Sequence, residues 1–341
     1  MASSLKPLLE KAITLRHGFA SQDNASRLAL FGSPHESAFR LFNGFVEGCP
    51  DLVIDVYATT VVLQNYANNP DEGMLFVQEA KEILQNRLNW LHAGIVKTRN
   101  STSQEEKRGQ LLFGASVDKK ISEHGVWYAL NLTLNRDASF YLDTRDLRKW
   151  LTENMQVKSV LNTFAYTGSF GVAALAGGAS RVVQVDHNRQ FLDLAKESYT
   201  LNGFSINRND FLAQDFFPAV SRFKHSKQFF DCAILDPPFF SSSSKGKVDQ
   251  VHESARLINK LRPLINDGGY LVAMNNALYV SGGEYIQTLE TLCKDGYMKI
   301  KELIPVPDDF VGYHRIGKPI TDPAPFNHST KIAILDVKRK Q

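Results

Sequence analysis

The chain has 341 residues, enough for two domains, and 43% of them are hydrophobic, which supplies a packed core in each. A formal net charge of +3 does not by itself mark a nucleic-acid binder. No apolar run reaches the roughly eighteen residues of a membrane span, the start Met1-Ala2-Ser3-Ser4-Leu5-Lys6-Pro7 leads into a charged amphipathic pattern rather than a secretion signal, and Cys49, Cys232 and Cys293 lie far apart without metal-ligand spacing, so a cytoplasmic protein with reduced thiols and no metal is expected.

Residues 1–35 read as a helical arm, with helical patterns over Leu5 to Arg16 and Gln22 to Phe31, a break at Gly18 and a stop at Gly32-Ser33-Pro34. From Phe39 the period shortens. Phe39 to Phe42, Leu52 to Tyr57 and Thr60 to Tyr66 read as strands, and a helix from about Met74 to Trp90 follows. Residues 36–148 therefore read as a small α+β domain. Within it the polar run Lys97 to Arg108 reads either as a mobile hairpin tip or as a loop that grips phosphates.

After a helix beginning near Asp143, residues 149–341 alternate strand and helix as βαβ units do. Strands are expected near Lys158 to Asn162, Arg181 to Val185, Asp210 to Gln214, Phe229 to Leu235, Tyr270 to Met274, Met298 to Ile304 and Lys331 to Val337. The last two lack an intervening helix, so the fold class is α/β: a seven-stranded, mostly parallel sheet finished by an antiparallel hairpin.

Three apolar runs end in chemistry at the carboxyl edge of this sheet, where open α/β sheets bind ligands. The first closes in Asn162-Thr163-Phe164-Ala165-Tyr166-Thr167-Gly168, whose glycine permits a tight turn before a helix start rich in free N–H groups. Without GxGxxG spacing, the turn suits S-adenosylmethionine better than a dinucleotide. The second run ends in Asp186, able to accept hydrogen bonds from ribose hydroxyls or to cap the helix His187 to Leu201; Asp215 and Phe216 close the next strand, placed for adenine or for another cap. The third ends in Asp236-Pro237-Pro238-Phe239, where two prolines fix φ and leave carbonyls free of competing donors, with an aromatic to stack on a base. Ser241 to Lys247 then reads as a basic linker or a lid. Asn275-Asn276, at the end of the fifth strand, offer amides to the same pocket or close an Asx turn.

Together these residues resemble the class I S-adenosylmethionine-dependent methyltransferases, and more closely the bacterial large-subunit (23S) ribosomal RNA methyltransferases that carry a small α+β domain before a Rossmann-like catalytic domain. Arg40 to Gly44, Gly48 to Asp55, Glu123-His124-Gly125 and Phe140 to Asp146 add to the likeness. The resemblance implies cofactor contacts from Phe140, Leu142, Arg145, Asn162, Phe164, Tyr166, Thr167, Gly168, Asp186, His187, Asp215, Phe216 and Asp236. It implies that Asp236, Pro237, Pro238 and Phe239 receive an extruded RNA base that Asn275 orients. Cytosine C5 chemistry needs a cysteine nucleophile beside the fourth-strand proline or after the fifth strand, and none stands there. Guanine N7 already has an in-plane lone pair, and the N7 branch of the family looks similar at Asn275-Asn276, so the resemblance implies a 7-methylguanine product, with guanine N2 or adenine N6, which Asp-Pro-Pro-Phe favours, or else cytosine C5 as the alternatives. An RNA assembly factor without catalysis and a small-molecule methyltransferase are the other-class alternatives. RNA docking is expected from the arm, the small domain or a dimer partner. The insertion between the last two strands, with Phe310, His314, Arg315, Phe326, Asn327 and His328, either walls the base slot or packs as buried turns.

Overall fold

A computed structural model describes residues 4–22, 34–243, 246–311 and 321–339. The chain divides into two units, Met1–Leu142 with Pro307–Gly317 and Asp143–Val306 with Lys318–Gln341. A stretch from late in the chain thus belongs to the first unit. No helix among the described residues is long and apolar enough to cross a membrane.

The first unit opens with helix α1 (Leu5–Gln22), which runs on through Gly18 instead of breaking there. Its residues Leu5, Leu9, Ala12 and Ile13 are fully buried against Phe39, Leu52 and Val77, so the segment read as an arm is part of the unit's core. The rest of the second expected arm helix, from residue 23 on, lies outside the described residues. Strand β1 (Ala38–Asn43), the short helix α2 (Gly44–Glu47), and strands β2 (Leu52–Tyr57) and β3 (Thr60–Asn65) follow. Helix α3 (Pro70–Arg87) starts four residues earlier than the apolar spacing suggested. Asn69 caps it by accepting from the Asp71 N–H, and Pro70 takes the first turn. The helix carries the chain across to β4 (Ala93–Thr98), parallel to β3. After α4 (Gln104–Arg108) comes β5 (Gln110–Phe113), closing a sheet ordered β1-β2-β3-β4-β5.

The polar run at 97–108 contains the end of β4 and helix α4, and two of its basic residues are turned to the protein. Lys97 is fully buried, and its ammonium donates to the carbonyls of Arg108, Asn135 and Asp137. The Arg99 guanidinium reaches the Asp137 carboxylate at 3.2 Å. The hairpin β6 (Lys120–Glu123) and β7 (Val126–Ala129) turns at His124-Gly125, both with positive φ.

In the second unit, α5 (Arg145–Asn154) leads into β8 (Ser159–Thr163), α6 (Ser169–Ala176), β9 (Arg181–Asp186), α7 (Arg189–Leu201), β10 (Phe211–Ala213), α8 (Phe216–His225) and β11 (Phe230–Leu235). A hairpin of β12 (Phe240–Ser243) and β13 (Gly246–Asp249) comes next, where the sequence suggested a linker or lid. Then follow α9 (Ser254–Leu261), β14 (Ile265–Asn275), α10 (Gly282–Cys293), β15 (Met298–Ile304) and β16 (Lys331–Val337). The sheet order is β10-β9-β8-β11-β14-β16-β15, with β16 antiparallel to both of its neighbours. All seven expected strands are present. Alternation along them feeds two cores: Leu161, Val183, Ala233 and Leu271 face one layer, and Val160, Val182, Cys232 and Val272 the other.

Candidate active site

The strand order reverses between β8 and β11, so a crevice opens beyond their carboxyl ends. Register places the chemistry there. Thr163 pairs with Val185 on one side and Leu235 on the other, so Phe164, Asp186 and Asp236 each stand one residue past the same rung. Ala213 pairs with Asp186, which brings Asp215 to the same edge.

The loop after β8 is held in unusual backbone: Phe164, Tyr166 and Gly168 all have positive φ within five residues. Two buried side chains hold it. Asp186 accepts the Tyr166 N–H at 2.8 Å and the Asn188 N–H at 2.9 Å. Gln184 donates to the Gly168 carbonyl at 3.1 Å while its own carbonyl accepts from Asn162 at 2.8 Å. A Cβ on Gly168 would lie 2.5 Å from the Cβ of Ala195, so only glycine lets α6 and α7 close around this loop. Asn162 is therefore a buried brace beneath the loop, with its side-chain oxygen unpartnered. Thr167 is buried as well. Tyr166 packs edge-on to Phe191 at 4.6 Å.

Asp186 does not cap α7; that role belongs to Asn188, which accepts from the Gln190 N–H. Burial pushes the Asp186 carboxyl up, opposed by its two N–H donors and His187. His187 itself is 75% exposed. Asp215 stands at the start of α8, yet its carboxylate makes no capping bond and has no partner among the described residues. Phe216, expected against adenine, is instead inside the core with one face covered by Phe164, ring centroids 5.0 Å apart. Half-buried Phe164 is the ring of that pair with open surface.

Asp236 has no hydrogen-bond partner among the described residues. Burial, reinforced by the nearby Asp143 carboxylate, pushes its pKa up to about 7. Asp143 in turn accepts from Thr330 at 2.8 Å. Pro237 is buried and Pro238 exposed, and Phe239 is 46% exposed. Sequence reasoning missed the residue that fixes this loop. Gln250, directly after the β12–β13 hairpin, donates from its amide to the Pro237 carbonyl and from its backbone to the Phe239 carbonyl, and accepts the Asn276 N–H at 2.7 Å. A glutamine amid turn residues carries no local signal for such a role.

Asn275 does not face the pocket. Its amide donates to the Gln250 carbonyl and the Ser254 hydroxyl, and its oxygen accepts the Ala277 N–H, an Asx turn in a fully buried setting. The described insertion residues each have partners of their own. Phe310 lies in the first unit under the Arg40 guanidinium, 3.8 Å from the ring centroid. Phe326 packs on Tyr285, Asn327 pairs twice with the Val306 backbone, and His328 accepts the Thr330 N–H. His314 and Arg315 lie outside the described residues. Phe140 and Leu142 are buried at the end of the first unit, and half-buried Arg145 opens α5 in the second.

The donor set that remains open at the edge is one aromatic face, two carboxylates without hydrogen-bond partners and a glycine-lined backbone. That combination fits a nucleoside joined to a cationic amino-acid tail.

Comparison with known proteins agrees. The family model of S-adenosylmethionine-dependent methyltransferases matches residues 55–311. The ribosomal RNA large subunit methyltransferase I of Aeromonas salmonicida is 32% identical over 209 residues, 61% of this chain and 52% of that protein. Its namesake in Photobacterium profundum is 28% identical over 268 residues, 78% of this chain and 67% of that protein. The chain spans between about half and two thirds of the length of these relatives. In fold, the crystal structure of SMU.776 complexed with SAH superposes with a TM-score of 0.81 at 20% identity, covering 99% of this chain and 83% of that one. An S-adenosylmethionine-dependent methyltransferase from Agrobacterium tumefaciens gives 0.59 at 17% identity, covering 85% and 88%.

Proposed function

The chain belongs to the S-adenosylmethionine-dependent methyltransferase family, and from that premise we propose that it methylates a base of large-subunit ribosomal RNA, with guanine N7 as the acceptor. The curated relatives named for this RNA support the substrate class.

The observation that carries the choice of atom is the state of the cysteines. Cys232 is fully buried within β11, where burial pushes its thiol up to about 12, and Cys49 is pushed up to about 11 in the first unit. Burial raises Cys293 also. A thiolate nucleophile is thereby withheld from the crevice, and an acceptor with its own lone pair needs none. S-adenosylmethionine, when bound, supplies the electrophilic methyl group.

The chain's own residues do the rest. Asp186 and Asp215 would hold the nucleoside of the cofactor through hydrogen bonds, and the Gly168 backbone would admit its amino-acid end. Phe239 stacks on the extruded base, and Asp236, whose carboxyl burial and Asp143 push up to about 7, donates in its protonated form to the guanine O6 beside N7. A second reading, methylation of guanine N2 or adenine N6, draws on the same open Asp236 carboxylate, which accepts amine hydrogens. Against it, the Pro237 carbonyl that would share those hydrogens already receives the Gln250 amide.

Nucleoside mass spectrometry of ribosomal RNA from a strain lacking the gene, before and after incubation with the protein and S-adenosylmethionine, tests the assignment. Restored 7-methylguanosine is the expected result. A methylated exocyclic amine moves the acceptor to the second reading, 5-methylcytidine overturns the cysteine argument, and no change overturns the RNA reading.

A further inference from the structure

Just past the end of β14, the turn Ala277–Val280 places Leu278 and Tyr279 at its two central positions, closed by the Val280 N–H on the Ala277 carbonyl. Such positions ordinarily hold Gly, Asn, Asp or Ser, for backbone reasons. Here they hold a leucine 45% exposed and a tyrosine 67% exposed, and the tyrosine has neither ring contact nor hydrogen bond among the described residues. Neither side chain contributes to a core.

The turn is nonetheless held from beneath by three side chains. Asn275 accepts the Ala277 N–H, Thr321 donates to the Leu278 carbonyl at 2.9 Å, and the fully buried Lys331 donates to the Ala277 carbonyl at 3.1 Å. Burying an ammonium is costly, and this one serves to hold the turn together with the Ser329 carbonyl. A rigid backbone with outward apolar side chains is the arrangement of a preorganised contact surface.

Hydrogen bonds link the turn to the Asp-Pro-Pro-Phe loop. Gln250 joins the two, bonding the Phe239 carbonyl from its backbone and the Asn276 N–H from its side chain. On that loop Phe239 and Phe240 are 46% and 55% exposed.

We propose that Leu278 and Tyr279 form a stacking platform for an unpaired nucleotide adjoining the target base, so that the enzyme selects single-stranded or splayed RNA over duplex. The inference rests on the RNA-methyltransferase reading above. Aromatic faces bind bases only when the bases are unstacked, and a tyrosine supplies that face at small entropic cost.

Fluorescence anisotropy with a labelled, unstructured pyrimidine-rich RNA oligonucleotide and with its duplex tests the platform. The wild-type protein binds the single strand more tightly than the duplex. Tyr279→Ala weakens single-strand binding by about ten-fold and raises KM rather than lowering kcat, whereas Tyr279→Phe retains wild-type affinity. Affinity for S-adenosylmethionine, measured by calorimetry, is the same in all three and reports an intact fold. Single-strand affinity of Tyr279→Ala within two-fold of wild type overturns the platform alone, as does an equal loss on duplex. No RNA binding by the wild-type protein overturns the platform together with the RNA reading.

Discussion

Three carboxylates stand at the carboxyl ends of strands of one sheet, β9, β10 and β11, and what holds each one decides what it can do. Asp186 has both oxygens engaged by backbone N–H groups, so it shapes the loop as well as facing a ligand. Asp215 has none engaged among the described residues, and its role is proposed as purely ligand-directed. Asp236 differs again, because burial and Asp143 favour its neutral form. The folded state then keeps a proton that the unfolded chain has released. That stabilisation is complete below about pH 4 and is lost as pH rises to about 7. Asp236→Asn cannot ionise. Its stability advantage over the wild type should grow between about pH 4 and 7, reaching on the order of 2 kcal/mol once the partial contact with water is discounted, and then level off. Thermal unfolding without ligand across that range measures it. An advantage that does not vary with pH would show that Asp236 ionises in the fold as freely as in water.

The element that most constrains the site is the loop between β8 and α6. Gly168 has φ +75° and its missing Cβ would meet Ala195 at 2.5 Å. Gly203, just past α7, has φ +70° but open space around it. Gly203→Ala should thus cost only the left-handed backbone, about 1–2 kcal/mol, while Gly168→Ala adds overpacking of a further 1–3 kcal/mol and weakens cofactor binding. Urea denaturation of the two variants separates the contributions, and equal losses would mean that α6 and α7 can move apart. Much at this scale was legible in the sequence. Most strands of the second unit are short β-prone runs, and local pattern suffices for that. Pairing between distant segments leaves no local mark, so the β12–β13 hairpin looked like a linker. The apolar side of α1 announced only that it packs, not where. Asn275 and Phe216 were placed correctly on the edge but not in rotamer or partner. Their burial depends on Gln250, Ser254 and Phe164, which come together only in the fold.

At the scale of the whole molecule, the first unit is built from the first part of the chain and a short segment late in it. Arg16, fully buried on α1, donates to both oxygens of Glu47, to the Arg40 carbonyl and to the Asp309 carbonyl. Asp309 also accepts the Arg40 N–H at 2.8 Å, and Asn43 donates to the Phe310 carbonyl. One guanidinium therefore ties helix α1, the edge strand β1 and a segment that the chain reaches only after β15. The bond to Asp309 spans 293 residues of sequence. Contacts of that separation form late, because loop closure must precede them. The knot should act as a final latch on the first unit and be absent from its earliest structure. Arg16→Ala leaves the Glu47 carboxylate buried without this cation, a loss of about 3–5 kcal/mol. Every group that Arg16 touches in these bonds lies in the first unit, so the loss should fall there. Stopped-flow urea unfolding and refolding, followed by tryptophan fluorescence, should show unfolding accelerated by a hundred-fold or more (about 3 kcal/mol), with refolding nearly unchanged. Affinity for S-adenosylmethionine below the transition should be that of the wild type. A variant that refolds slowly instead would place the Arg16 contacts early in folding, and one that loses cofactor affinity would mean that the latch also shapes the site at the sheet edge.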